Sequence, residues 1–433
     1  RYIKTRRRNV NGILSLNIDL GKILPGLSTK ITGNYIINDY ARKKYMSHQK
    51  AYNFQSGDPD NRFIPGPLDL NKYNIYTFGS NYENLTYGAR QFWNEQFDWT
   101  LNYKNSFGKH EVGGMITFEQ AESQGEAIYA TANDPLTDYD QWFVFSTDPE
   151  RRTVSVNESE NLGSHLSWIG RATYNYDSKY MAEFSFRYDG NNKFPKDRRW
   201  GFFPSASLGW RISREAFMEN TSEWLDDFKI RGGWGQTGNQ SGIGDYAYLQ
   251  RYNIGRIEWF KVAAEGDTTD YANAVPTISQ ANLRTSDLTW ETTTQTNIGL
   301  DLTVLNGRLT FNMDYYYKKT KNMLMNVSLP AGAAAATSIA RNEGEMTNKG
   351  FELTISSKNF RGGAFTWDTD FNISFNRNKL TKLELQKVYY DAKTADVVND
   401  YVVRNEPGRA LGGFYGYISD GVDPETGELM YRD

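Results

Sequence analysis

Cysteine is absent from this chain of 433 residues. That removes disulfides, thiolate metal sites and a cysteine nucleophile, and it suits an envelope protein that needs no oxidative folding. Histidine is scarce: His48, His110 and His165 lie far apart and none stands in H-E-x-x-H spacing, so no catalytic zinc site is expected. Charge of one sign is lacking too. The 49 Lys+Arg face 52 Asp+Glu for a net charge of −3, which gives no electrostatic reason to expect nucleic acid. No stretch approaches the roughly 18 consecutive apolar residues of a transmembrane helix, so a helical membrane protein is excluded. The start, Arg1-Tyr2-Ile3-Lys4, carries neither an initiator Met nor a signal-peptide apolar region; it reads as a mature chain or a fragment whose true N-terminus lies upstream.

Aromatic rings are abundant: 29 Tyr, 24 Phe and 11 Trp make 15% of the residues, although hydrophobic content is only 39%. Rings with one apolar and one wet end belong to membrane-interface belts. All-β glycan-binding proteins collect them as well, and composition does not choose between the two.

Period-2 alternation is the main structural signal. Phe365, Trp367, Phe371, Ile373 and Phe375 share one face of a strand, while Thr366, Asp368, Asp370, Asn372 and Ser374 share the other. Ile298/Leu300/Leu302/Val304, Leu14/Leu16/Ile18/Leu20, Phe97/Trp99/Leu101/Tyr103, Phe184/Phe186/Tyr188, Ala206/Leu208/Trp210/Ile212 and Leu309/Phe311/Met313/Tyr315/Tyr317 repeat the pattern. In a soluble sandwich the oily faces meet in a core; in a membrane barrel they face lipid and the wet faces line a lumen.

Connection length separates these cases. Short turns at 21–26, 106–108, 177–178, 306–307 and 361–363, with a helical turn expected after 214, alternate with long polar segments at 46–85, 124–161, 239–289, 326–348 and 381–410. Outer-membrane barrels place short turns on one rim and long loops on the other, whereas long structureless loops count against a compact soluble domain. The expected fold is therefore all-β: a transmembrane antiparallel β-barrel, with twelve or thirteen strands within residues 1–433. A sheet of that size must close, and the chain stops without an aromatic-ended closing strand, so further strands are expected elsewhere.

Particular runs carry a family resemblance. Tyr180 to Gly190 (YMAEFSFRYDG), Arg199 to Arg211 (RWGFFPSASLGWR), Leu225 to Gln240 (LDDFKIRGGWGQTGNQ), Leu288-Thr289-Trp290-Glu291, Asn297 to Asp301, Tyr315 to Thr320 and Asn348 to Glu352 resemble the central barrel of SusC/RagA-type TonB-linked outer-membrane transporters. The similarity spans roughly 160–360 and is looser at 96–120 and 405–433. It implies a 22-stranded barrel filled by an N-terminal plug, energised by TonB, and a SusD-like surface lipoprotein that lids the barrel and captures glycans or peptides. Nothing in this chain resembles the plug or the TonB-binding segment. On this resemblance Trp210, Trp234 and Trp290 are lipid-facing or girdle aromatics.

Other motifs have plain readings. Gly233-Trp234-Gly235-Gln236-Thr237-Gly238 fits G-x-G-x-x-G but lacks the strand–turn–helix context that a pyrophosphate needs. No nucleophile elbow occurs, and Glu183 and Asp301 fall on wet strand faces, so no catalytic residue is assigned and the chain is not expected to be an enzyme. Asp420, Asp423 and Glu425 group oxygen ligands in a turn that suits either a structural Ca²⁺ or a solvated loop; no other cofactor is expected. Arg6-Arg7-Arg8 and Arg42-Lys43-Lys44 suit either lipid and lipopolysaccharide phosphates at a rim or plain solvation. Trp142, Phe143, Tyr246, Tyr248 and Trp259 are the loop aromatics assigned to substrate, since rings stack on sugars and bury peptide side chains; loop packing is the competing reading.

The expected function is active import of an oligomeric nutrient across the bacterial outer membrane. A passive pore or adhesive barrel is the alternative, and a soluble glycan-binding β-sandwich a remote third.

Overall fold

The computed structural model describes residues 2–46, 49–54, 73–78, 84–133, 152–157, 163–257, 275–280, 283–329, 338–383, 389–394 and 400–432. Its strands are β1 (Tyr2–Asp19), β2 (Leu27–Met46), β3 (Gln49–Phe54), β4 (Tyr73–Phe78), β5 (Asn84–Phe107), β6 (His110–Asn133) and β7 (Arg152–Asn157). They continue as β8 (Gly163–Tyr176), β9 (Tyr180–Asn191), β10 (Trp200–Arg211), β11 (Leu225–Asn239), β12 (Tyr252–Ile257), β13 (Val275–Gln280) and β14 (Glu291–Val304). The last are β15 (Leu309–Ser328), β16 (Ser338–Gly362), β17 (Phe365–Leu383), β18 (Tyr389–Thr394), β19 (Asp400–Asn405), β20 (Ser419–Val422) and β21 (Leu429–Tyr431).

Thirteen strands form one sheet in the order β1-β2-β5-β6-β8-β9-β10-β11-β14-β15-β16-β17, with β7 beside β6. Sequence neighbours thus become sheet neighbours, and each of the described registers from β8 to β17 is antiparallel. The turns follow from local chemistry. Asp177 and Ser178 both take positive φ, 51° and 53°, in the three-residue connection between β8 and β9, the conformation in which a tight hairpin turn follows the strands' own twist. Two 3₁₀ segments, Ile212–Arg214 and Ala216–Thr221, form the expected helical turn between β10 and β11.

Three of the segments expected to be loops carry their own hairpins, β3–β4, β12–β13 and β18–β19. Barrel strands also run further than alternation suggests: β1 starts at Tyr2 rather than near 13, β6 reaches Asn133, and β16 starts at Ser338 rather than near 349. The reason is physical. Outside the hydrocarbon both faces of a strand meet water, so backbone pairing persists with no apolar period to betray it. The 25 residues of β16, at about 3.3 Å each, extend about 80 Å, roughly twice what an oblique crossing needs.

The chain divides into two compact units, one of residues 1–15, 32–97 and 121–164, the other of 16–31, 98–120 and 165–433. In the second unit, cross-strand registers line up apolar rows. One runs Trp210, Ile230, Leu300, Met313, Leu353, Ile373 across six strands; the next runs Leu208, Gly232, Ile298, Tyr315, Phe351, Phe375. These side chains stand open on a single-layer sheet: Leu208 is 68% exposed, Ile298 62% and Phe375 60%. No second layer of described residues covers them. So many contiguous apolar side chains are stable only against lipid.

Interfacial rings bracket the band. Trp210 is register partner of Tyr180, and near the other end of β10 the Trp200 ring stacks on Tyr188 with centroids 4.8 Å apart. The ten-residue step between the two tryptophans, at about 3.3 Å per residue and a tilt of about 40°, spans about 25 Å, the height of a barrel's apolar band. Where the sheet lacks a side chain a ring fills in: a Cβ on Gly170 would sit 2.1 Å from Phe186 Cε1, so only glycine admits that ring.

Candidate functional site

The opposite face of the same strands is polar, and its charges compensate one another. Arg171 Nη2 donates to Glu183 Oε2 at 2.7 Å. Arg231 bridges two carboxylates, Nε to Asp301 Oδ2 at 3.2 Å and Nη2 to Asp314 Oδ2 at 2.6 Å. Arg187 meets Asp189 Oδ1 at 3.0 Å and Glu119 Oε1 at 3.4 Å, and His165 approaches the same Glu119 oxygen at 3.4 Å. Glu183 and Asp301 lie on the wet face that alternation assigns them. The arginines follow from the same parity, since Arg187 alternates with Phe186 and Tyr188, and Arg231 with Ile230; only their partners needed the register.

Between these ion pairs the wall is stripped of bulk. Gly113, Gly209 and Gly233, with Ser207, line a concavity of about 800 Å³. It runs into a second of about 840 Å³ that shares Met115, Arg171, Glu183 and Asn297. Side chains lie flat where glycine leaves room: a Cβ on Gly299 would meet Arg231 Cζ at 2.4 Å. Such a surface offers hydrogen-bonding groups from ion-paired side chains along its length.

At the long-loop end a buried cluster closes over the strand termini. Phe194, Phe203, Ile243, Leu288, Trp290 and Leu324 pack together, with Tyr248 and Ala247 against them. Trp290 departs from its expected girdle position: it is 8% exposed, tilts against Phe194 at 4.9 Å, meets Phe203 edge-on at 5.4 Å and donates its indole N–H to Arg199 O at 2.9 Å. It immediately precedes β14, past the reach of the apolar band, where the returning connection at Ile243 and Tyr248 supplies a protein neighbour instead of lipid. Trp210 and Trp234, both more than a third exposed on the apolar face, keep the expected role.

Glu291 ties this end together, accepting from Asn239 Nδ2 at 3.0 Å and from the Leu324 amide at 3.1 Å. Of the loop aromatics, Tyr246 and Tyr248 sit together with ring centroids 6.4 Å apart. Asn192 Nδ2 donates to the Tyr246 hydroxyl at 3.1 Å, and the Tyr248 carbonyl accepts from Thr285 N at 3.3 Å. Trp142, Phe143 and Trp259 lie outside the described residues.

The acidic turn 420–428 has local partners. Arg432 Nη2 donates to Asp420 Oδ1 at 2.9 Å, and Asp423 Oδ1 accepts from the Glu425 amide at 2.8 Å, which holds the Asp423 carboxyl below its ordinary range. Among the described residues no three His, Asp or Glu side chains converge as a metal site, so Asp420, Asp423 and Glu425 are not brought to one point. The glycine-rich Gly233 to Gly238 run lies within β11, with no helix after it.

Comparison with known proteins agrees with this geometry. Residues 4–423 match the family described as TonB dependent receptor-like, beta-barrel. The chain is 32% identical over 348 residues to the TonB-dependent receptor SusC of Bacteroides thetaiotaomicron, covering 79% of this chain and 33% of that protein. It is 33% identical over 325 residues to TonB-dependent receptor P3 of Formosa agariphila, covering 74% of this chain and 31% of the relative. The chain thus spans about a third of the length of the curated relatives it matches. The solved RagAB peptide transporter superposes on 99% of this chain and 42% of its own with a TM-score of 0.75 at 22% identity, a likeness of fold. Matched by family over nearly its whole length, with lipid-facing rows on one side of the sheet and compensated charges on the other, the chain belongs to the TonB-dependent receptor-like β-barrel family of the outer membrane, in its SusC-like branch.

Proposed function

We propose that the protein to which this barrel belongs imports an oligomeric nutrient, a glycan or a peptide, across the outer membrane. TonB drives the step, and a SusD-like lipoprotein captures cargo at the long-loop rim. No bond is made or broken. One observation carries this reading: a glycine-floored polar wall whose arginines are ion-paired stands directly behind the lipid-facing rows, so an extended polar oligomer finds hydrogen bonds along it. The SusC/RagA-type resemblance implies glycan or peptide cargo, and the solved structure that shares this fold is that of a peptide transporter.

Tyr246 and Tyr248, held at the rim beside the Phe194–Trp290 cluster, are the described aromatics we assign to first contact, together with Trp142, Phe143 and Trp259. The test is growth on a panel of defined oligosaccharides and peptides as sole nutrient, with the receptor deleted, with TonB deleted, and with both restored. Loss of growth on one cargo class in both deletions is expected, along with co-purification of a surface lipoprotein. Uptake that survives loss of TonB would instead describe a passive pore and overturn the proposal.

A further inference from the structure

The Arg6-Arg7-Arg8 run lies on β1, and the sheet splits it. Contacts between β1 and β2 share one register: Tyr2 beside Tyr45, Arg8 with Asp39, Gly12 against Tyr35, Ser15 with Thr32. Strand alternation then sends Lys4, Arg6 and Arg8 to the face that carries Val10 and Leu14, the lipid side. Arg7 points the other way, its guanidinium 5.6 Å from the Tyr40 ring centroid.

On the lipid side Arg6, Arg8, Tyr87, Gln91 and Gln124 border a concavity of about 700 Å³. Asp39 is the nearby acid, and it orients Arg8 through an Nε to Oδ2 bond of 2.8 Å. Among the described residues Arg6 has no carboxylate partner. Glu126 also borders the hollow, from β6, three strands away in sheet order, and no ion pair joins it to Arg6.

Depth matters as much as charge. Val10, 50% exposed, is the last apolar residue of this face of β1 before the cations. Arg8 lies two residues beyond it, so it stands about 7 Å further along the strand at about 3.3 Å per residue, or about 5 Å in height at a tilt of about 40°. A cation stripe at that level, facing away from the lumen, meets headgroups.

We infer that Lys4, Arg6 and Arg8 form a binding site on the outer wall of the barrel for the phosphate of an anionic glycolipid in the outer leaflet. Arg8, oriented by Asp39, offers its remaining guanidinium N–H groups, Arg6 an open guanidinium for bidentate contact, and Gln91 an amide donor. The site does not depend on which cargo the lumen carries.

The test uses the full-length receptor in detergent, with binding of bisphosphorylated lipid A measured against dephosphorylated lipid A and inorganic phosphate. Arg6→Gln, which breaks no ion pair, is expected to weaken lipid A binding about fivefold, the worth of one juxtamembrane cation. Lys4→Gln/Arg6→Gln/Arg8→Gln together should weaken it more than twentyfold. Arg7→Gln, one residue away on the other face, should leave it unchanged, and retention of the heat-modifiable folded band certifies each variant. Equal effects of Arg6→Gln and Arg7→Gln, or none from either, would overturn the site. Equal binding of dephosphorylated lipid A, or full competition by millimolar inorganic phosphate, would overturn its assignment to a lipid phosphate.

Discussion

Trp210 donates its indole N–H to Glu215 Oε1 at 3.0 Å, and the hydroxyl of Tyr180, its register partner on the neighbouring strand, donates to the same oxygen. One carboxylate from the turn after β10 therefore anchors two girdle rings at the short-turn rim. Lys179 Nζ lies 3.5 Å from the second oxygen.

These donors, Tyr180 first and Trp210 next, hold the Glu215 carboxyl below its ordinary value of 4.5. Since the folded value is depressed, its stabilising share is complete above pH 4.5 and drains away as pH falls through the lower folded value. We expect the heat-induced mobility shift of the folded barrel to move to lower temperature on acidification from pH 7 to pH 3. In Glu215→Gln that acid-induced drop should be smaller, with a modest loss at neutral pH. An identical pH profile in the two proteins would refute the anchoring role.

Phe184 projects from the apolar face about midway between the Trp210 and Trp200 levels, and it is register partner of Ala206. Arginine there must be held in hydrocarbon, so Phe184→Arg should cost about 2–4 kcal/mol or block assembly. Asn372→Arg, on the polar face of β17, should assemble normally. Urea unfolding in liposomes measures both; equal tolerance would mean that Phe184 does not face lipid.

Trp290 fills the rim cluster between Phe194 and Phe203. Trp290→Ala removes a buried indole and leaves Arg199 O without its donor, a loss of about 3–5 kcal/mol. The loosened connection should gain protease cuts between residues 240 and 250 while the short-turn end stays intact. Trp290→Phe, which keeps the packing but not the hydrogen bond, should fall between. Wild-type resistance to cleavage in the alanine variant would place the cluster's stability elsewhere.

Alternation alone carries the greater part of the architecture. The rows at Phe365–Phe375 and Ile298–Val304, the turns at Asp177-Ser178 and Asn306-Gly307, and the wet-face placing of Glu183 and Asp301 all follow from a period of two and from the few residues that accept positive φ. Those are local properties, written in neighbouring residues. What local pattern leaves open is pairing across distance. Parity shows that Arg231 faces inward, but its bond to Asp314, 83 residues away, exists because β11, β14 and β15 lie side by side in register. Trp290 is the sharpest case. Its sequence context matches that of the lipid-facing tryptophans, and it is buried because a connection more than forty residues upstream, at Ile243, folds back over it. Whether an aromatic meets lipid or protein depends on what arrives from elsewhere in the chain, and no nearest-neighbour signal encodes that.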